Sequence, residues 1–491
     1  MLKERSSIQS ELELICIEEL VPADHLLRKI DKTIDFSFIY KKVEPLYCAH
    51  NGRPPVDPVM LFKMLFIGYL FGIRSERRLE QELKVNNAYR WFLGLGLRGR
   101  VPDHSTISRN RQDRFAGTGV YQEIFDEIVL QAMKRKLVDG KTLYSDSTHL
   151  KASANKNKYE KQLVEKSTRS YLAELDEAVD QNRAEHGKKP LKLQEEEPKL
   201  KETKVSTTDP DSGYMVRDGK PKGFFYLDHR TVDAKHSLIT DVHVTPGNVH
   251  DSVPYLGRLD RQTERFGFEV ESVGLDAGYF TAAICKGLVE RDVYGVMPYV
   301  RPGGSKGMLK KSTFVYDEHH DCYLCPAAQV LEYSTTSRDG YREYKSNPEL
   351  CRDCPRLKEC TQSRNCTKVI TRHVWEESKE QIIEHRYEER GKRIYKRRKE
   401  TVERSFADAK ELHGHRYARM RGIAKVSEQC LLSATAQNIK KIALILSRSG
   451  NGGPLTSLKP RFGAICAFLS RFFGNIKLNR TEDFTPLAVF C

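Results

Sequence analysis

The stretch Phe268-Glu269-Val270-Glu271-Ser272-Val273-Gly274-Leu275-Asp276-Ala277-Gly278-Tyr279 decides how this chain is read. Phe268 to Leu275 has the composition of a strand, and Asp276 stands at its carboxyl end. The pattern that follows predicts a helix from about Thr281 to Glu290 and a second strand at Val293 to Val300. A strand, helix, strand unit with an acid at the end of its first strand belongs to an α/β sheet, where sites lie at the carboxyl ends of strands.

Upstream, Asp139-Gly140 is a turn signal, and Lys141 to Ser147 reads as a strand carrying Asp146 near its C-terminal end. Phe224 to Asp233 and Ser237 to Thr245 are extended segments separated by Ala234-Lys235-His236, which is hairpin spacing. Pro246-Gly247-Asn248 then turns the chain into a helix beginning near Asp251. Residues 159–204 are charged, low in aromatics and helical by propensity, a charged helical insertion. Downstream, a long helical stretch runs from about Lys379 to Arg448. Within it, residues 386–425 hold 14 Lys+Arg against 6 Asp+Glu, over half of the chain's net charge of +15. Residues 450–491 form a Gly/Ser/Pro linker and a tail.

Residues 1–125 read as helical. Val56 to Phe71 is dense enough in apolar residues for a buried helix, capped near Asp57-Pro58. In Arg74 to Leu83, Leu79 and Leu83 define one face and arginines the others. Pro102-Asp103-His104-Ser105-Thr106 is a loop and an N-cap, leading into a basic helix with Arg109 and Arg111. Short helices ending in a Ser/Arg-rich one suit a DNA-reading module, and equally a plain bundle with a solvated basic face.

A length of 491 residues allows about three domains and rules out a small disulfide-stapled fold. The longest apolar run, Met64 to Ile73, is ten residues, short of the roughly 20 a membrane helix needs. Met1-Leu2-Lys3-Glu4-Arg5 opens no signal peptide, so a cytoplasmic, nucleoid-associated protein with no membrane partner is expected. With 82 Lys+Arg against 67 Asp+Glu, a polyanionic partner is favoured.

Three carboxylates stand out by placement: Asp146 and Asp276 at strand ends, and Glu403 in the basic helical stretch, with Glu400 competing for the third position. Brought together by the sheet, they make an acidic pocket in a basic protein, suited to Mg²⁺ or Mn²⁺. A metal-activated nucleophile needs no histidine base, so His149, His229 and His250 are read as structural, and Asp251 as orienting its turn. The cysteines read Cys322-x2-Cys325-x25-Cys351-x2-Cys354-x5-Cys360-x5-Cys366, and the two Cys-x2-Cys pairs predict a structural zinc in a Cys-rich insertion over 320–367. Free thiols and an iron-sulfur cluster are the alternatives, with Cys360 or Cys366 available to replace a ligand.

At this point the chain resembles a family. Ser145-Asp146-Ser147-Thr148, Thr245-Pro246-Gly247-Asn248-Val249-His250-Asp251, Gly274-Leu275-Asp276-Ala277-Gly278-Tyr279, and Glu400-Thr401-Val402-Glu403-Arg404-Ser405-Phe406 with Lys410 are similar to the ordered signatures of bacterial insertion-sequence transposases with an RNase H-like DDE domain. The stretch through Arg74-Ser75-Glu76-Arg77 and Asp103-His104-Ser105-Thr106 resembles the helical domain that precedes it in such proteins. The resemblance implies an α/β fold: an RNase H-like mixed sheet flanked by helices over 139–446, preceded by an all-helical DNA-binding domain. It also implies that Asp146, Asp276 and Glu403 bind the metals and that Lys410 meets DNA near the scissile phosphate.

The related signature Tyr-x2-Arg-x3-Glu-x6-Lys is met with a departure. Counting back from Glu403 gives Lys399 and Lys396, while Arg398 and Tyr395 are one residue off. Helical spacing puts Lys396, Lys399, Glu403 and Lys410 on one face. With Arg398, Arg404, Arg109 and Arg111, these lysines are the expected DNA contacts. The expected reaction is cleavage at the terminal inverted repeats and joining of 3′-hydroxyls to target DNA, by a homodimer on DNA. The alternatives are a metal-dependent nuclease of the same fold and a catalytically silent DNA-binding regulator.

Overall fold

A computed structural model describes residues 14–48, 55–165, 172–191, 200–216, 222–299 and 307–449. The linker and tail expected over 450–491 lie outside the described residues. No helix among the described residues is long and apolar enough to cross a membrane.

The strands are β1 (Thr142–Lys151), β2 (Tyr159–Glu165), β3 (Leu200–Ser206), β4 (Gly213–Met215), β5 (Gly223–Asp233), β6 (Ile239–Pro246), β7 (Ser272–Gly274), β8 (Tyr294–Val296), β9 (Val315–Asp317), β10 (Cys322–Leu324), β11 (Val330–Thr336), β12 (Tyr341–Ser346) and β13 (Val369–His373). The central mixed sheet has the order β4-β5-β1-β7-β8, with β6 also on β5. β1 runs antiparallel to β5 and parallel to β7, and β7 runs parallel to β8. The expected hairpin is β5 and β6, with an irregularity between Thr231 and Val232. β1 continues four residues past Ser147, so Asp146 sits in mid-strand, paired with Arg230 of β5, instead of near the strand's end. The strand pattern from Phe268 shrinks to Ser272–Gly274, because only that part finds neighbours on both sides.

The helices meet the sequence expectations most closely where a cap marks them. Pro58–Leu70 starts on Asp57, whose carboxylate accepts from the Met60 N–H. Ala282–Glu290 starts on Thr281, whose hydroxyl accepts from the Ile284 N–H. The 159–204 stretch differs from the prediction: its ends, β2 and β3, pair antiparallel, and among the described residues between them helix covers Leu172–Glu185. Helix propensity there is outweighed by cross-strand pairing. The long stretch from Lys379 breaks into Glu376–Tyr387, then helical turns from Glu389 to Leu412, then Ile423–Arg448.

Ile423–Arg448 organises the interior. It packs on β6, on Leu26–Thr33, on Pro58–Leu70 and on Val120–Lys134, so the N-terminal helices and the sheet share one hydrophobic core. Its buried polar side chains are used: Asn438 accepts from the Ile239 N–H and donates to the Ile239 carbonyl. A second sheet, β13-β12-β11-β10-β9, has a separate core of Phe314, Tyr323, Leu331, Tyr344 and Ile370.

Two buried contacts fasten the segment after Leu412. His413 donates through Nδ1 to the Tyr69 carbonyl at 2.8 Å, and His415 meets Asp228 at 2.8 Å. Burial works to raise Asp228, but Arg230 and His415 together hold it below the usual carboxylate range. Burial lowers His413 to about 4. A histidine depressed in the fold stays neutral there while the unfolded chain takes up a proton near 6.5, so stability falls as pH drops from about 6.5 towards 4. In His413→Gln, which can still donate to Tyr69, that fall is expected to be smaller by about 1–3 kcal/mol. Urea melts of both proteins across this range check it, and parallel curves would rule it out.

Candidate active site

Three of the segments singled out in the sequence meet on one face of the central sheet. Asp146 projects from β1, Asp276 follows β7, and Glu403 comes from the helical stretch Glu389 to Leu412 that lies across β1 and β5. Gly274 makes this approach possible: a Cβ there would lie 2.7 Å from the Tyr144 ring beside it in the register. Leu275 keeps the sheet geometry for one more residue, its N–H donating to Val296, and places Asp276 at the carboxyl edge.

The three carboxylates surround one guanidinium. Arg398 donates to Asp146 at 2.7 Å and to Asp276 at 3.5 Å, and its Nη1 stands 4.0 Å from Glu403. The Arg398 side chain is only 5% exposed, against 19% for Asp146 and 53% for Asp276. Burial pushes Asp146 up to about 6, with Arg398 opposing and Asp276 and Asp251 reinforcing the rise. Asp251 adds a fourth acid nearby, accepting from the Ser147 hydroxyl at 2.7 Å. Carboxylates gathered this closely, with Asp146 largely withdrawn from solvent, need a cation, and in this structure Arg398 supplies it.

The helix reaches this geometry through a wide turn. Between Lys399 and Glu403 the chain makes a π-type turn, with the Glu403 N–H donating to the Arg398 carbonyl five residues back. The extra residue moves the register by one. Arg398, not Lys399, therefore stands one turn before Glu403 and faces the acids, while Lys396 and Lys399 are exposed. The single face expected for Lys396, Lys399, Glu403 and Lys410 does not survive this turn. Tyr395, three residues before Arg398, keeps its place in the Tyr-x2-Arg pattern, with the Arg398 guanidinium 5.8 Å from its ring.

The other basic residues are scattered. Arg404 is exposed and pairs with Asp408 at 2.9 Å, and Lys410 is half-buried. Arg109 is exposed on His104–Arg109, while Arg111 pairs with Glu76. That helix begins on Asp103, which accepts from the Ser105 N–H, and on Glu80, which accepts from the His104 N–H and ring. Glu80, Asp103 and His104 are thus occupied in capping. His229 is fully buried, bonded to Thr245 and held well below its usual value by burial.

Sequence reasoning missed the buried position of Arg398, listing it only among arginines for DNA. The structure also separates the two members of the first cysteine pair. Cys322 lies in β10, paired with Asp317 of β9, and Cys325 follows the strand's end. Side chains alternate along a strand, so Cys322 lies on the face opposite Tyr323, whereas Cys325 packs with Tyr323 against the small core.

Comparison with known families agrees with this order of parts. A family model described as Transposase domain (DUF772) matches residues 15–113, and one described as Transposase DDE domain matches residues 324–443. No curated protein sequence matches the chain. Among solved structures, the cryo-EM piggyBac transposase synaptic complex with hairpin DNA is similar at 10% identity and TM-score 0.31, covering 94% of this chain and 86% of that one. The Mos1 transposase paired-end complex with left transposon end is similar at 13% identity and TM-score 0.16, covering 51% and 61%.

Proposed function

With a transposase domain followed by a transposase DDE domain, this chain is a DDE-type transposase, and from that premise we propose that it cuts the ends of its own mobile element and joins the freed 3′-hydroxyls to target DNA. The observation that carries this reading is the meeting of Asp146, Asp276 and Glu403 around Arg398. Carboxylate oxygens are the ligands Mg²⁺ and Mn²⁺ prefer, and a buried acid pushed up to about 6 has unmet demand for positive charge, so the donor set fits a divalent ion. Ions held by Asp146, Asp276 and Glu403 would supply activation of the attacking oxygen and stabilisation of charge on the transferred phosphate.

The chain's own residues do the rest. Asp146 and Asp276, held by adjacent parallel strands, fix two ligand directions rigidly, and Glu403 closes the site from the helix. Arg398 neutralises the acids here, and its guanidinium, if released from them, would be able to meet a phosphate bidentately. Lys396, Lys399 and Arg404 lie on the exposed side of the same helical stretch and grip backbone phosphate. The strand order, antiparallel on one side of β1 and parallel on the other, supports an RNase H-like reading of 139–446. The helices of 1–125, with Arg109 exposed, would recognise the terminal inverted repeats, and two copies of the chain would hold the two ends together.

The test is incubation of the protein with Mg²⁺, labelled DNA carrying the inverted repeats that flank its gene, and a target plasmid. Joined product is the expected result. Cutting without joining would replace this reading with a nuclease, and DNA binding without either would replace it with a silent regulator.

A further inference from the structure

Independently of the reaction proposed above, we infer that Cys325, Cys351, Cys354 and Cys360 form a four-thiolate cage for one structural zinc ion, and that Cys322 is not a ligand.

These four cysteines, drawn from the end of β10, from the helix Pro348–Arg352, from the turn after it and from the helix Leu357–Cys360, line one cavity together with Phe314, Leu331 and Ser346, and Cys322 does not line it. No three of these thiols lie within 4.8 Å of one another as the structure stands, so a bound ion would draw them together across that cavity. Cys322 sits within β10, paired with Asp317 of β9, on the strand face opposite Tyr323. The spacing is therefore Cys-x25-Cys-x2-Cys-x5-Cys, one tight pair and two single ligands.

Three features prepare the thiols for a cation. Cys325 Sγ accepts from two backbone N–H groups, those of Ala327 at 3.4 Å and Gln329 at 3.3 Å, in a tight loop whose Ala328 takes a φ of 57°. Cys351 Sγ meets the Ser346 hydroxyl at 3.2 Å, and that hydroxyl is itself oriented by the Lys368 N–H. Lys368 reaches the same corner, its Nζ donating to the Cys360 carbonyl at 2.7 Å, and offsets part of the negative charge that four thiolates around a dication would leave.

The surrounding fold explains why an ion is needed. Five strands from β9 to β13 rest on only five buried apolar side chains, and such small cores are commonly stapled by a disulfide or a metal. The cysteines here are free thiols. A redox-inert tetrahedral ion with four sulfur ligands serves as the staple, and the four ligands leave no open position for chemistry.

The experiment uses the full chain, purified without chelator, with metal content measured by mass spectrometry. About one zinc per chain is expected in the native protein, retained in Cys322→Ala and Cys366→Ser and lost in Cys354→Ser and Cys360→Ser. Should the last two fail to fold, peptide mapping of iodoacetamide labelling on the native protein decides instead: Cys325, Cys351, Cys354 and Cys360 should be protected together and become reactive together when a chelator removes zinc, with Cys366 reactive throughout. Zinc kept by Cys360→Ser, zinc lost from Cys322→Ala, independent labelling of the four, or iron with a visible absorption band in place of zinc would each overturn the assignment.

Discussion

Asp276→Asn is expected to lower cutting and joining of the element ends by more than the ~10–100-fold that loss of an outer-shell metal partner costs, with binding to the same DNA retained. Asparagine keeps the shape of the side chain and removes the charge and one hard oxygen ligand. Asp276 is about half exposed and its contact to Arg398 is long at 3.5 Å, so the fold loses little and the effect falls on chemistry. Asp146→Asn should be as inactive, but it also takes away the shorter partner of a buried arginine, and melting should shift with it. Glu403→Gln discriminates most sharply. Glu403 approaches the Arg398 guanidinium, while Glu400 sits in the same wide turn on its exposed side. Gel-based cleavage and mobility-shift assays on all four variants, Glu400→Gln included, measure this. If Glu400→Gln stops cutting and Glu403→Gln does not, the third ligand is Glu400.

What could be read from the sequence follows from what is local. Asp57-Pro58 and Thr281 announce helix starts because a cap is made by residues two or three positions apart. The hairpin of β5 and β6 was legible for the same reason, since only the five residues 234–238 separate its arms. The acids Asp146, Asp276 and Glu403 were found through ordered signatures, and the sheet brings them together across more than two hundred residues of chain. The misreadings all turn on non-local pairing. Cys322-x2-Cys325 resembles a metal knuckle until β9 and β11 claim Cys322 and its neighbour for a strand, after which alternation separates the two thiols. β2 and β3 read as helix because Lys and Glu favour it, and only their pairing with one another makes them strands. The π-type turn has no sequence signal of its own, yet it accounts for the one-residue slip between Tyr395, Arg398 and Glu403 that the linear pattern left unexplained. Charge alone placed Arg398 on DNA, whereas its neighbours place it among three carboxylates.

That position makes Arg398→Met the most informative single change. Methionine fills much of the same volume without charge, so Asp146 loses the group that opposes its burial. Breaking a fully buried ion pair costs about 3–5 kcal/mol. Here the cost should be nearer 1–3 kcal/mol, because Asp146, already pushed up to about 6, can take a proton and shed its charge. The metal-free variant is therefore expected to melt several degrees below the native protein at pH 7. Mg²⁺ should then raise its melting temperature by more than it raises the native protein's. In the native chain an entering ion competes with a guanidinium bonded to two of the carboxylates, and in the variant it meets acids with no rival cation. Arg398→Lys should fall between the two, keeping the charge but losing the fork that reaches Asp146 and Asp276 together. Lys399→Met, on the exposed side of the same turn, should change neither quantity. Melting curves of the four proteins with and without Mg²⁺ separate these outcomes. Equal melting and an equal Mg²⁺ response in Arg398→Met and native protein would mean that the arginine is a bystander and that the acids are held by the sheet alone.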